Sequence, residues 1–319
     1  MNLKMDKNNN VSISFFILTY KRPKELLECI RSILKSIREA NLKKYKIFIS
    51  DQSNGESSTA DLIALTKNNS YLSYKIEKDI GIQNSWINFY KSFDYDYGWV
   101  LSDDDVLEPL AIKCALNTIN NDFMPDICVL NYSLYSKDVK ILKKRGVLGK
   151  QNLKNLSKGK LLERFHIHIG LPSNIVIRKD VFKKDILPSK KMFTTEFAHL
   201  FIIYASLTKN AKISFNKISC VRYRTGNAAL NYNWDEVFVE GVPFLLDKLL
   251  EFGYTYKNYI VALTKFYFRY IIIDYFIKIK ENNFSYKRIF YISKYNIINS
   301  YFFISISILI ALLLFFLIN

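Results

Sequence analysis

The stretch VSISFFILTYKRPKELLECIRSILKSI, residues 11–37, decides the fold class of this 319-residue chain. Its first ten residues alternate and then become fully apolar, which is typical of a strand entering a buried core. From Pro23, a residue suited to a helix start, leucine and isoleucine recur at helical spacing as far as Ile37. A buried strand followed directly by an amphipathic helix predicts the first unit of a parallel sheet.

The same rhythm continues along the chain. Strands are predicted over 44–50, 71–77 and 97–102, and helices over 59–67 and 81–93. Crossovers of this kind are right-handed and place successive strands in one parallel sheet. We therefore predict an α/β fold with a mostly parallel central sheet flanked by helices. In such sheets, ligands bind beyond the carboxyl ends of the strands.

Polar side chains stand where these strands end. They are Thr19, Tyr20, Arg22, Asp51, Asp103, Asp104 and Asp105, with Gly81 and Asn84 opening the helix before the fourth strand. Three adjacent aspartates repel one another, so we expect a positive group beside them. Because no G-x-G-x-x-G fingerprint accompanies these residues, a dinucleotide site is not expected.

Four segments, in this order and spacing, resemble the nucleotide-binding half of family 2 glycosyltransferases: ISFFILTYKRPKELLECIRSIL, IFISDQSNGESS, DIGIQNSWINFYKSF and WVLSDDDVLEP. The resemblance covers residues 11–110 and continues more weakly to about 225. It implies the GT-A (Rossmann-like) fold and an inverting transfer of a sugar from a nucleotide-diphosphate donor, with UDP-sugars favoured. The implied acceptor is a glycan or lipid-linked glycan of bacterial surface-polysaccharide or lipooligosaccharide synthesis.

The resemblance also implies roles for the residues at the strand ends. Thr19, Tyr20 and Arg22 correspond to the loop that contacts the donor nucleotide. Asp51 corresponds to the carboxylate that accepts a hydrogen bond from the base, and the Gly81–Asn84 segment lines the same pocket.

The acidic motif of the family holds a divalent ion, Mn²⁺ or Mg²⁺, against the donor diphosphate. Here Ser102 takes the place of the first carboxylate, so the acidic run is shifted by one position. We favour Asp104 as the metal ligand, with Asp103 nearer the ribose or sugar and Asp105 as a second candidate ligand. The alternatives are a solvated loop, or an N-cap in which Asp105 begins the next helix.

The segment KMFTTEFAHLFIIYASL, residues 191–207, predicts a helix capped by Thr194 or Thr195 with Glu196 in its first turn. In the family, an Asp or Glu at such a position is the general base, which makes Glu196 the candidate; a carboxylate favoured by the helix dipole is the alternative. His199 shares the helix face and either contacts acceptor or diphosphate or packs in the core.

Two further segments belong to the predicted acceptor half. GLPSNIVIRKDVF, residues 170–182, resembles the wall on the acceptor side. CVRYRTGN, residues 220–227, places Arg222 and Arg224 on one face of a strand, where they either clamp phosphate or remain solvated.

The charge is strongly basic: 46 Lys and Arg against 29 Asp and Glu give +17. Anionic membranes, phosphorylated substrates and nucleic acids all attract such a chain, and a composition rich in Lys, Asn and Ile explains part of the excess. A nucleic-acid partner is not expected, because it leaves the aspartates unexplained. A non-catalytic relative that only binds nucleotide-sugars remains an alternative.

The four scattered cysteines indicate reduced thiols.

The C-terminal part predicts membrane association. Residues 301–318 carry no charge and would span roughly 27 Å as a helix, close to the hydrocarbon thickness; a buried core helix is the alternative. Residues 258–280 mix aromatic and basic side chains, which suits a helix in the membrane interface or one packed on the sheet.

These signals predict three regions. They are a GT-A domain over 1–225 (nucleotide-sugar half about 11–110, acceptor half about 111–225), a helical interfacial region over 226–298, and an anchor over 299–319. The N-terminus shows no signal-peptide pattern, so we expect an enzyme anchored by its tail at the cytoplasmic face of the inner membrane.

Overall fold

The computed structural model describes residues 11–121, 124–182, 185–226 and 235–267. The strands are β1 (Ser12–Thr19), β2 (Lys44–Asp51), β3 (Leu72–Ile76), β4 (Tyr97–Ser102), β5 (Val106–Leu107), β6 (Ile127–Tyr135), β7 (Leu142–Lys144), β8 (Leu153–Leu156), β9 (Ile175–Arg178) and β10 (Ile213–Arg224). The α-helices are α1 (Pro23–Ala40), α2 (Ala60–Lys67), α3 (Ile82–Ser92), α4 (Ala111–Asn121), α5 (Lys158–Phe165), α6 (Lys190–Thr194), α7 (Ala198–Ser206), α8 (Val242–Leu250) and α9 (Tyr256–Phe266).

One sheet joins these strands in the order β3-β2-β1-β4-β9-β6-β10-β5, with β7 paired to β6 and β8 to β10. Strands β3, β2, β1 and β4 are parallel, and β6 and β10 are also parallel to each other. Strand β9 is antiparallel to both β4 and β6 and joins the two parallel groups. The predicted α/β fold with a mostly parallel sheet flanked by helices is confirmed.

Alternation along β1 builds a core on each face of the sheet. Ile13, Phe15 and Ile17 are fully buried in one core, against α1 and α4. Phe16 belongs to the other core, with α3, α5, α7, α8 and α9. Because both faces are covered, this strand is apolar almost throughout, as the sequence indicated.

Residues 235–267 pack into the second core: Val239, Leu245 and Phe266 are buried there. Lys265, one of the basic residues of the predicted interfacial helix 258–280, donates a hydrogen bond to the carbonyl of Glu163 at 2.9 Å. Of the predicted interfacial helix 258–280, residues beyond 267 lie outside the described part of the chain, as does the predicted anchor. No helix among the described residues has the length and apolar character needed to cross a membrane.

One predicted helix needs correction, and so does the alternative in which Asp105 caps a helix. The chain after Asp105 forms the short strand β5, which pairs with β10, and α4 begins only at Ala111, after Pro109. The helix predicted over 191–207 is divided into α6 and α7, because the chain between them turns back through a left-handed residue, Glu196.

Candidate active site

Register brings the polar strand ends to one edge of the sheet. Thr19 of β1 lies opposite Asp51 of β2, and Leu18 lies opposite Ser102 of β4. Beyond these ends is a cavity of about 660 Å³, and the first part of the acidic loop, Asp103 and Asp104, lines it. The wall on the other side comes from α3, α7 and the segment 170–172.

The acidic loop is held by the loop that follows β1. Thr19 donates a hydrogen bond from its hydroxyl to Asp103 Oδ2 at 2.8 Å. Arg22 Nη1 lies 3.1 Å from Asp103 Oδ1 and 3.0 Å from Asp104 Oδ2, so one guanidinium nitrogen serves two carboxylates. The structure thus brings together four residues that the sequence assigned to one site.

Negative charge is in excess here. Burial raises the pKa of Asp103 to about 6, although Arg22 acts to lower it. Burial and the neighbouring Asp104 raise the pKa of Asp105 to about 8, and its Oδ1 is buried with no hydrogen-bond partner in the described structure. The site therefore favours the arrival of a further positive charge.

A divalent cation fits this donor set. Asp103 and Asp104 present hard carboxylate oxygens to the cavity, which suit Mg²⁺ or Mn²⁺. Within the described ranges no group of three or more metal-ligating side chains occurs, so water and substrate oxygens would complete the coordination. Asp105, our second candidate ligand, instead lies fully buried beneath the loop and does not line the cavity.

Asp51 is placed differently from our expectation. It is fully buried, and it accepts hydrogen bonds from the backbone and hydroxyl of Ser53, the backbone of Ser57 and the Tyr74 hydroxyl. Burial acts to raise the pKa of Asp51, but these hydrogen bonds outweigh it and lower the pKa below the usual range. In this conformation the carboxylate does not line the cavity; the next residue, Gln52, does.

Of the other residues that we predicted to contact the nucleotide-sugar donor, two line the cavity and one does not. Tyr20 and Gly81 line the cavity, and the φ of +83° at Gly81 explains why glycine opens α3. The exposed Asn84 is not among the lining residues, because its amide donates to the Ile80 carbonyl of its own helix at 2.8 Å.

Glu196 lines the cavity from the turn between α6 and α7, at a φ of +62° that is uncommon outside glycine and asparagine. Gln83 of α3 holds this turn at three points. Its amide nitrogen donates to Glu196 Oε2 at 2.8 Å and to the Phe193 carbonyl at 3.0 Å, and its oxygen accepts from the backbone N–H of Ala198 at 2.7 Å. Glu196 therefore does not lie in the first turn of a helix, as we predicted, but in a turn that three hydrogen bonds with Gln83 hold in place.

The environment of Glu196 suits a proton acceptor. Burial raises the pKa of this carboxyl, while the hydrogen bond from Gln83 acts to lower it. A half-buried carboxylate with a raised pKa in a cavity is a candidate general base.

His199 also lines the cavity. Burial lowers its pKa to about 4, so the ring is neutral at physiological pH. Nε2 lies 3.0 Å from the Gly170 carbonyl and therefore carries the proton, which leaves Nδ1 as a hydrogen-bond acceptor. The ring meets Trp86 edge-on at 4.9 Å between centroids.

The two arginines of β10 are committed to protein partners. Arg222 forms a bidentate pair with Glu108, at 2.8 and 2.9 Å, and does not line the cavity. Arg224 lines the cavity, but it donates to the backbone carbonyl of Asp104 at 2.9 Å and to Glu28 Oε2 at 2.6 Å. Neither is placed as the free phosphate clamp that we considered; Arg224 instead shapes the acidic loop.

Sequence reasoning missed several cavity residues. Gln52, Gln83, Trp86 and Tyr223 line the cavity, and none of them was assigned a role from the sequence. Gly170, Leu171 and Pro172 also line it, and they belong to the segment 170–182 that resembles the acceptor wall. In the sequence, the polarity of Gln52 and Gln83 was the one signal that could have identified any of these residues.

Comparison with known proteins agrees with this architecture. The sequence model of Glycosyl transferase family 2 matches residues 14–186. No match is found among curated proteins.

Solved structures of TarS from S. aureus are similar to the chain. TarS 1–349 has a TM-score of 0.60 and 14% identity over 82% of this chain and 73% of that chain. Its complex with UDP-GlcNAc has a TM-score of 0.59, also at 14% identity, with the same coverage of both chains. A longer TarS structure has a TM-score of 0.60 and 15% identity, and the match covers 83% of this chain but only 45% of that one.

Likeness at this identity supports the GT-A fold, whereas the family match rests on sequence and spans more than half of the chain. The chain therefore belongs to glycosyltransferase family 2 and is a glycosyltransferase.

Proposed function

We propose that this enzyme is a metal-dependent, inverting glycosyltransferase that uses a nucleotide-diphosphate sugar, with UDP-sugars favoured. The observation that carries the proposal is that Asp103 and Asp104 on one side, and Glu196 on the other, line a single cavity of about 660 Å³. That volume is in the range of small-molecule sites. The UDP-GlcNAc and UDP complexes of TarS support the choice of nucleotide.

The donor would lie over the carboxyl ends of β1 and β4. Arg22 and Gly81, which line the cavity, would meet its diphosphate, and Thr19, Tyr20 and Gln52 would meet its nucleoside. Asp103 and Asp104 would hold Mn²⁺ or Mg²⁺, and the bound ion would neutralise the charge that develops on the leaving diphosphate.

The acceptor would enter from the side of Glu196. The Glu196 carboxylate would take the proton of an acceptor hydroxyl, whose oxygen then forms a bond to the anomeric carbon. The bond from that carbon to the diphosphate breaks, and the nucleoside diphosphate leaves with the electron pair. His199, a neutral ring that lines the same cavity, would contact the acceptor.

We further propose a glycan or lipid-linked glycan acceptor in cell-surface polysaccharide synthesis, at the cytoplasmic face of the membrane. The basic excess and the uncharged segment 301–318 support this location. The proposed organisation is a GT-A domain over 1–225, followed by a helical region over 226–298 and a tail anchor over 299–319.

The test is a panel of nucleotide-sugars, read as protection against thermal unfolding with Mn²⁺ and with excess chelator. We expect one sugar nucleotide to raise the melting temperature only when metal is present. Asp104→Asn should lose this protection, and the matched Asp61→Asn, a solvent-exposed carboxylate on α2, should keep it. Equal protection in chelator would contradict the role of the metal, and protection without any transfer would indicate a binding-only relative.

A further inference from the structure

The hairpin of β6 and β7, with the loop that follows, places a basic cluster on the surface. We call residues 136–150 the basic hairpin. Its exposed basic residues are Lys137, Lys140, Lys143, Lys144, Arg145 and Lys150. Over the described ranges none of the six takes part in an ion pair. Asp138, the single carboxylate of this segment, is exposed and accepts hydrogen bonds from the Ser136 hydroxyl and the Lys140 backbone N–H, so six basic residues face one acidic residue at this surface.

Apolar side chains stand among these charges. Ile141 is 65% exposed and Leu142 is 38% exposed, at the start of β7. A lone exposed leucine needs no explanation. Two adjacent aliphatic residues flanked by lysines match the pattern of segments that enter a membrane interface, where the aliphatic groups leave water and the ammonium groups meet headgroups.

The basic hairpin lies at the rim of the active site. Strands β4 and β6 are both antiparallel to β9, so they run in the same direction and end at the same edge of the sheet. Arg224, which lines the cavity, donates from Nη1 to the Lys137 carbonyl at 2.6 Å. A surface bound to the hairpin would therefore lie beside the cavity mouth.

We propose that the basic hairpin is a contact surface for an anionic lipid bilayer, with Ile141 and Leu142 entering the headgroup region. Its purpose rests on the proposed function, because it would bring the cavity to a lipid-linked acceptor. A nucleic acid or a soluble polyanion would use the charges but leave the aliphatic pair in water. The segment 136–150 also contains no aromatic ring on which a base could stack.

The test uses the full-length protein with a polarity-sensitive fluorophore on Ile141→Cys; the four native cysteines are buried. Phosphatidylcholine vesicles are compared with vesicles that also contain phosphatidylglycerol. We expect a blue shift, and quenching by headgroup spin-labelled lipid, only with phosphatidylglycerol. A label on Lys67→Cys, at the opposite edge of the sheet, should not respond.

Charge removal tests the same surface. Because each lysine near an anionic surface contributes roughly a fivefold factor, Lys140→Gln with Lys143→Gln and Lys144→Gln should lower the contact equilibrium constant about a hundredfold. The matched control replaces three exposed lysines at the opposite edge, Lys43, Lys44 and Lys67, and should retain contact. Melting curves verify that both triple variants fold.

Four results would overturn the proposal. They are a label at 141 that stays in water while the protein sediments with vesicles, an equal response to neutral vesicles, an equal loss in the control triple, and a response to oligonucleotides alone. None of these measurements involves turnover. If the basic hairpin contacts lipid but the protein transfers no sugar, the proposed function is refuted while the proposed lipid-contact surface is still supported.

Discussion

Arg22 divides one guanidinium nitrogen between Asp103 and Asp104, which leaves the acidic loop short of positive charge. Arg224 approaches the loop as well, but it meets the backbone carbonyl of Asp104 and not its carboxylate. A cation that binds together with the donor would neutralise the remaining negative charge of Asp103 and Asp104. We therefore expect these two aspartates to contribute far more to turnover than to folding.

Replacing Asp104 by Asn should lower sugar transfer by about 10²-fold or more, because the amide keeps the shape but loses the charge that holds the metal. Steady-state transfer, measured across metal concentrations, tests this. The melting temperature should change little, since Asp104 is only partly buried. Full activity of the native enzyme in excess chelator would refute the metal-binding role.

Replacing Glu196 by Gln should lower kcat by ~10²-fold or more while donor affinity persists, as expected for a missing general base. The native pH–rate profile gives a second readout. Burial raises the pKa of Glu196, so on acidification the carboxyl takes up a proton at a higher pH than an ordinary glutamate does. The loss of activity that follows is the acidic limb of the profile. This acidic limb should disappear in the Gln variant. If turnover is unchanged, the base lies elsewhere, and Asp180 and Asp185 are the next residues to replace.

At the scale of elements, Gln83 joins helix α3 of the donor side to the α6–α7 turn of the acceptor side. Gln83→Met should lower the free energy of unfolding by about 1–3 kcal/mol, since the Phe193 carbonyl and the Ala198 N–H lose their partner. It should also move the acidic limb of the rate profile to higher pH, because the lost hydrogen bond favoured the ionised form of Glu196.

Chemical denaturation and the pH dependence of kcat/KM measure these two effects. Asn88→Ala, an exposed change on the same helix, should alter neither. Destabilisation without a shift of the limb would show that Gln83 has a structural role only.

The first four strands and the helices between them could be predicted because each signal is local. Apolar runs mark β1 and β4, Pro23 starts α1, and polar residues mark the strand ends. The rule that ligands bind at those ends predicted that Thr19, Arg22, Asp103 and Asp104 lie together, and all four line one cavity.

Other features depend on partners distant in the sequence. The apolar pattern continues across 191–207 and hides the turn at Glu196, which is fixed by a glutamine 113 residues away. Asp51 has the spacing of a base-binding carboxylate, but Tyr74 and the serine loop occupy it. Asp105 belongs to the same acidic run, yet burial separates it from the cavity. No local pattern carries this information.

For the whole molecule, two modes of membrane attachment respond differently to salt. At 1 M salt the Debye length falls to about 3 Å, which screens the basic hairpin but not an inserted apolar helix. We expect the full-length protein to stay with membranes through a high-salt wash. Deletion of 300–319 should give a protein that salt extracts and that still binds its nucleotide-sugar. Release of the full-length protein by salt alone would contradict the tail anchor.

The position of β9 has a consequence for how the chain is made. Strand β4 pairs with β1 on one side and, among the described strands, with β9 on the other, so residues 103–174 must be synthesised before the second edge is covered. At ribosomal rates of 5–20 residues per second, that edge stays open for about 4–14 s. A nascent chain in this interval presents a largely apolar strand with one unpaired edge, so the yield of folded protein should depend on chaperone capacity and translation speed more than on the stability of the finished enzyme.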